Sequence, residues 1–233
     1  MLKKTLYICG DSFCADDLEY GDNWHNLLVK QVANIDVVNL SIPGASNYLI
    51  YLQVKQALEN DCDYLIYNAT GSTRQEFTLC STGMPPDNID RYYNVLTPTK
   101  DKELLCLSWI QPFELENHSS IPVSFDTDEI KRFFMKYIDM SSVIEKNYIF
   151  IQQTLFMISS SKNILNWAWS QGGFEHKKFK SVRDWNFSEY RKNECSINLW
   201  DYYDSKVRRP HYHITDKQIL QDTCNQYIKM LQL

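Results

Sequence analysis

Ile8-Cys9-Gly10-Asp11-Ser12-Phe13 decides how the rest of this chain is read. Lys4-Thr5-Leu6-Tyr7-Ile8-Cys9 leads into it as a short buried strand, rich in aromatic and β-branched residues. Gly10 permits an abrupt turn, and Asp11 and Ser12 are residue types favoured at helix starts. A serine so placed presents its hydroxyl at the carboxyl end of a sheet, beside backbone amides at a helix N-terminus that stabilise developing negative charge. That setting suits a nucleophile, although Gly-Asp-Ser taken alone is also an ordinary turn.

Three βα units follow one another in the first third of the chain. A helix near residues 23–33 carries Trp24, Leu27, Leu28 and Val32 at helical spacing. A second strand, Asp36-Val37-Val38-Asn39-Leu40, runs through Pro43-Gly44 into a helix near 46–59, and Tyr64-Leu65-Ile66-Tyr67 is the third strand. This alternation predicts a three-layer α/β/α sandwich around a mostly parallel sheet with right-handed crossovers.

Residues 75–125 break the rhythm with Met84-Pro85-Pro86-Asp87-Asn88, Thr97-Pro98 and Ile121-Pro122, with short strands around 104–109. They read as an insertion beside the active-site end of the sheet, in the place of a lid. A long helical region opens at the capping box Asp126-Thr127-Asp128-Glu129. Its apolar face takes in Ile130, Phe133, Phe134, Tyr137, Ile144, Tyr148, Ile151, Leu155 and Ile158. Ile164 to Trp169 is a further strand, and a polar, aromatic loop runs from Gly172-Gly173 to about residue 195. The last helix is expected to begin at Thr215, which forms a capping box with Gln218, and to bury Ile219, Leu220, Tyr227, Ile228 and Leu231.

The 233 residues suffice for one substantial core, and without a linker-like stretch they read as one domain over 1–233. A net charge of −5 argues against a broad nucleic-acid-binding face. The 14% aromatic share is high, and Trp167, Trp169, Phe174 and Trp185 suit either a carbohydrate-stacking wall or core packing. Seven cysteines lack disulfide or zinc spacing, and Cys9, Cys62 and Cys106 sit in apolar stretches as buried thiols. The acidic run Asp16, Asp17, Glu19 and Asp22 lacks the ligand alternation of a calcium loop. No metal and no cofactor are therefore expected. Without a signal-type or membrane-length apolar run, the expected location is the cytoplasm.

Two further signals fall in order behind Gly10-Asp11-Ser12. Asn39-Leu40-Ser41-Ile42-Pro43-Gly44-Ala45-Ser46-Asn47 follows the second strand, and Arg209-Pro210-His211-Tyr212-His213-Ile214-Thr215 precedes the last helix. With them the chain resembles the SGNH (GDSL-type) hydrolase family, most of all short divergent members from bacteriophage genomes. The resemblance is good over residues 4–74 and weaker over 199–231. It implies a flavodoxin-like fold, Ser12 as nucleophile and a histidine before the last helix as general base. His213 is the choice, with His211 its close rival. It also implies an oxyanion hole built from backbone amides of Ser12 and Gly44 and a side chain after the third strand.

The chain departs from the family pattern twice. The usual Gly-x-Asn-Asp after the third strand is replaced by Asn68-Ala69-Thr70-Gly71-Ser72-Thr73-Arg74. Thr70 falls where the asparagine belongs, and Asn68 lies two residues earlier on the same face of the strand. Arg74 would sit near the mouth of the site, either binding an anionic substrate group or paired with the insertion. The aspartate expected three residues before the histidine is also missing, since that position is Pro210. Asp204, Asp201 or a backbone carbonyl would have to orient the imidazole instead. Asp11 is expected to cap the helix and order the nucleophile turn, and Asn39 and Asn47 to serve as turn or cap residues.

The resulting expectation is a serine esterase acting on an O-acetyl or other short acyl group of a glycan or small molecule. Acyl transfer to an acceptor is a weaker variant of it. The alternative is a catalytically lapsed SGNH fold that binds a ligand or a host protein, placed in the host cytoplasm if phage-encoded.

Overall fold

Strand β1 (Lys4–Cys9) alternates its side chains between two buried faces, as a strand covered on both sides must. Leu6 and Ile8 join one apolar cluster, and Tyr7 and Cys9 join the other. The same alternation runs through β3 (Tyr64–Ala69), where Tyr64 and Ile66 face the first cluster and Leu65, Tyr67 and Ala69 the second. The computed structural model describes residues 3–15, 23–32, 34–42, 45–72, 74–78, 96–99, 102–108, 136–171, 187–202 and 214–233.

With β2 (Ile35–Asn39) and β7 (Asn166–Gln171), these strands form a four-stranded, all-parallel sheet in the order β2-β1-β3-β7. Helices α1 (Trp24–Gln31) and α4 (Lys217–Leu231) cover the first face. Helices α2 (Asn47–Glu59) and α3 (Met140–Ser160) cover the second. The expected α/β/α sandwich is what the chain forms. In this strand order the connections leaving β1 and β3 run to opposite sides of the sheet, so the switch point of the topology falls between the carboxyl ends of these two strands. Gly10-Asp11-Ser12 follows β1 there, and Thr70 follows β3.

β4 (Arg74–Thr78), β5 (Leu96–Thr99) and β6 (Lys102–Ser108) make a separate three-stranded antiparallel sheet in the order β4-β6-β5. Arg74, the first residue of β4, lies opposite Ser108 at the end of this sheet.

Several expectations need correction. No helix starts at Ser12: residues 11–15 form a single turn, in which Cys14 N and Ala15 N both donate to Asp11 O at 3.0 and 2.9 Å. The long helix α3 starts at Met140, where the Asp139 carboxylate caps it by accepting from Ser141 N, and the expected opening at 126–129 lies outside the described residues. Tyr137 is 64% exposed and lies outside the buried stripe, whereas Ile144, Ile151, Leu155 and Ile158 are buried as expected. Asp126, Ile130, Phe133 and Phe134 lie outside the described residues. Asp216, not Thr215, caps α4, accepting from Gln218 N and Ile219 N with its backbone extended. Trp169 is fully buried core, its indole N–H donating to Tyr190 O at 3.0 Å, while Phe174 and Trp185 are outside the described residues. Cys9 and Cys62 are buried free thiols. Among the described residues no helix is long and apolar enough to cross a membrane.

Candidate active site

Gly10 holds the turn that carries Ser12 in place from both sides. Its N–H donates to Gln53 Oε1 on α2 at 2.8 Å, and its carbonyl accepts from Ile42 N at 3.2 Å. A Cβ at this position would stand 2.9 Å from Cys14 Sγ and 3.1 Å from Asn68 Cβ, so only glycine lets β1 and β3 approach the turn this closely. Ser12 is 9% exposed at the top of that turn.

Asp11, which is fully buried, is the hub beneath Ser12. Its Oδ2 accepts from Thr70 Oγ1 at 2.6 Å and pairs with Arg74 Nη1 at 3.2 Å. Its Oδ1 accepts from Phe13 N at 3.1 Å and from Asn68 Nδ2 at 3.4 Å. A buried carboxylate needs this many donors, because burial without them strips its hydration at a cost of several kcal/mol. Asp11 therefore does more than order its own turn: it ties β1, β3 and β4 together at one point.

The two candidates for the side-chain oxyanion donor are both engaged by this hub. The Thr70 hydroxyl has one proton and gives it to Asp11. Asn68 gives one amide proton to Asp11, and its carbonyl accepts from Ser170 Oγ on β7. Among the described residues Arg74 pairs with the carboxylate of Asp11. Its Nη1 also donates to Ala45 O at 2.6 Å, and its side chain is 13% exposed.

A second ring of amides encloses Thr70. Asn47, fully buried at the start of α2, accepts from Thr70 N at 3.0 Å and donates to Thr70 O at 3.1 Å. Its other amide proton goes to Asn147 Oδ1 on α3, at 3.0 Å. Asn147 Nδ2 in turn donates to the carbonyls of Arg74 and Val143, each at 2.9 Å. The expected role of Asn47 as a helix cap falls instead to Ser46, whose hydroxyl accepts from Leu49 N. Asn39, the last residue of β2, uses its side chain to order the turn that follows, accepting from Ser41 N and donating to Cys14 O.

Sequence reading passed over Asn147 and Gln53. A signal for the first was present: Asn147 interrupts the apolar stripe of Ile144, Tyr148 and Ile151, where a polar residue must find buried partners.

Cys14 lies two residues beyond Ser12, but burial first and then the Asp11 carboxylate push its thiol well above the ordinary value. It is not a thiolate near neutral pH. Gly44, Asp204, His211 and His213 lie outside the described residues. Asp201 is exposed and accepts from Asn198 Nδ2 at 3.4 Å within a short 3-10 helix (Leu199–Tyr202).

No protein-family profile matches the sequence, and no curated protein matches it either. Solved structures do. The psychrotrophic esterase EstA from Pseudoalteromonas sp., in a structure inhibited by monoethylphosphonate, superposes with a TM-score of 0.51 over 97% of each chain at 11% identity. A lipolytic protein of the G-D-S-L family from Desulfitobacterium hafniense DCB-2 gives 0.46 over 97% of this chain and 99% of its own, also at 11% identity. The acetyl xylan esterase AlAXEase gives 0.35 at 10% identity, over 95% of this chain and 96% of its own. At such identities the likeness, carried by the first of these, is one of fold.

Proposed function

We propose that this chain, which has the α/β fold of the SGNH-type esterases, is itself a serine esterase with Ser12 as nucleophile. One observation carries the reading: Ser12 stands at the sheet's switch point, on a turn whose preceding residue, Asp11, is held by buried bonds from Phe13, Asn68, Thr70 and Arg74. A nucleophile gains most from such fixed placement, since a misplacement of about 1 Å can cost roughly 100-fold in rate.

In the proposed reaction Ser12 Oγ adds to the ester carbonyl carbon while His213 accepts its proton. The oxyanion rests on the backbone amides of Ser12 and Gly44. His213 then returns the proton to the departing alcohol, leaving an acyl group on Ser12. Water, deprotonated by the same imidazole, adds to the acyl carbon, and the carboxylic acid leaves as the serine is reprotonated. Thr70 and Asn68 act through Asp11, holding the turn, and leave the oxyanion to the backbone. Arg74 neutralises Asp11. His211 is the rival base and Asp204 the candidate to orient it. The substrate proposed is a short acyl ester, such as an O-acetyl group on a glycan or small molecule.

The test is hydrolysis of p-nitrophenyl acetate and labelling by a fluorophosphonate, in wild type and in Ser12→Ala. The expected result is loss of both in the variant, with kcat down on the order of 10^4-fold or more. Esterase activity that survives Ser12→Ala overturns the assignment. A wild type that neither labels nor turns over returns the chain to the lapsed, ligand-binding alternative.

A further inference from the structure

Asn147 is 2% exposed and has every polar hydrogen and its carbonyl oxygen spent on a different neighbour. A buried asparagine on a helix commonly returns to its own backbone, and one of its protons does so, at Val143 O. The other two bonds leave the helix. Oδ1 fixes the Asn47 amide, and the second Nδ2 proton fixes the Arg74 carbonyl.

Two paths therefore run from Asn147 and meet again at Asp11. One passes through Asn47, which grips both the N–H and the C=O of Thr70, and then through the Thr70 hydroxyl to Asp11 Oδ2. The other passes through Arg74, whose guanidinium reaches the same oxygen. Each amide has its orientation set by the next, because turning either asparagine over would oppose donor to donor or acceptor to acceptor. The closed ring draws on α2, α3, β4 and the residues just after β1 and β3, and it lies directly under the nucleophile turn.

We propose that Asn147 is a positioning residue for Ser12: from α3 it fixes Thr70 and Arg74 together, and through them the Asp11 carboxylate that sets the nucleophile turn. The inference rests on the reading of Ser12 as the nucleophile.

Two variants test it against a control on the same helix face. Asn147→Asp keeps the shape but sets carboxylate oxygen against the carbonyls of Val143 and Arg74. Asn147→Ser removes the reach to both neighbours. Thr154→Ala is the control: it is equally buried, and its hydroxyl bonds to Phe150 O of its own helix at 2.7 Å, away from the ring.

The expected result is that kcat and the rate of fluorophosphonate labelling at Ser12 fall together by about 10- to 100-fold in the Asn147 variants. KM should stay within about twofold, and Thr154→Ala should keep kcat within the same margin. Folded Asn147 variants that keep wild-type kcat, or lose no more than the control, overturn the proposal. So does a control that folds while neither Asn147 variant does, since that makes the residue structural only. Hydrogen exchange at the Thr70 amide reads the linkage without turnover: faster exchange in the Asn147 variants supports it, and unchanged exchange overturns it. If the wild type neither labels nor turns over, the Ser12 reading fails by itself, and the Thr70 exchange rate alone decides whether Asn147 holds the turn.

Discussion

Asp11 and Arg74 form a pair with the carboxylate fully buried and the guanidinium nearly so. Such pairs contribute little relative to well-packed apolar residues, yet they are costly to break from one side, because the surviving charge stays buried without a partner. Arg74→Met is therefore expected to destabilise the protein by about 3–5 kcal/mol, read as a lower urea midpoint. Asp11→Asn combined with Arg74→Met should recover part of that loss, since no charge is then stranded. If the double variant is as unstable as the sum of the two single ones, the pair is not coupled as the 3.2 Å contact implies. This logic also explains why Thr70 and Asn68 point inward: a buried carboxylate with four lone-pair directions takes every donor within reach.

Among the described elements, β7 is the outermost strand on its side of the parallel sheet. Beyond it, among the described residues, the sheet continues as a parallel bridge from Trp169 to Glu194, closed by Cys195 N donating to Trp169 O at 2.7 Å. Asn193 Nδ2 caps the next edge carbonyl, Trp167 O, at 2.8 Å. Forming that bridge half-buries Glu194, and the loss of hydration raises its carboxyl above the ordinary value of 4.5 against a smaller opposing effect of Arg191. The fold thus prefers the protonated acid. Its contribution is fully present below pH 4.5 and is lost as pH rises through the raised value. Glu194→Gln should accordingly raise the Tm at pH 7 and leave it unchanged well below pH 4.5. A gain that persists unaltered into acid would show that Glu194 does not titrate against the fold. On α2, Ser46 caps the helix from a fully buried position, and Ser46→Ala should cost about 1 kcal/mol in urea unfolding.

On the scale of the whole molecule, the chain closes only when α4, from the last fifteen or so described residues, docks beside α1. Tyr227 is the anchor, 1% exposed, with its ring 4.7 Å from that of Trp24. Trp24 in turn donates from its indole N–H to Phe13 O at 2.9 Å, so this packing reaches the residue after Ser12. Tyr227→Ala should cost about 3–5 kcal/mol by the cavity it leaves. A loss under about 1 kcal/mol would mean the α1 and α4 layer adds little to the fold.

The strands of the parallel sheet and most of the helices on it could be read from the order of residues, because they depend on local regularities. Alternating and helical spacings of apolar side chains mark what is buried, and Gly10 marks where β1 must turn sharply. What Asp11 does could not be read that way. Its partners Thr70 and Arg74 are 59 and 63 residues away in sequence, and nothing near Asp11 distinguishes a buried hub from a helix cap. Asn147 and Asn47, 100 residues apart, became a pair only when α2 and α3 packed on the same face of the sheet. Sequence alone determined the sandwich and the turn that presents Ser12. Tertiary structure alone decided which polar groups hold that turn, because a buried donor must be matched to whatever acceptor the packing brings beside it.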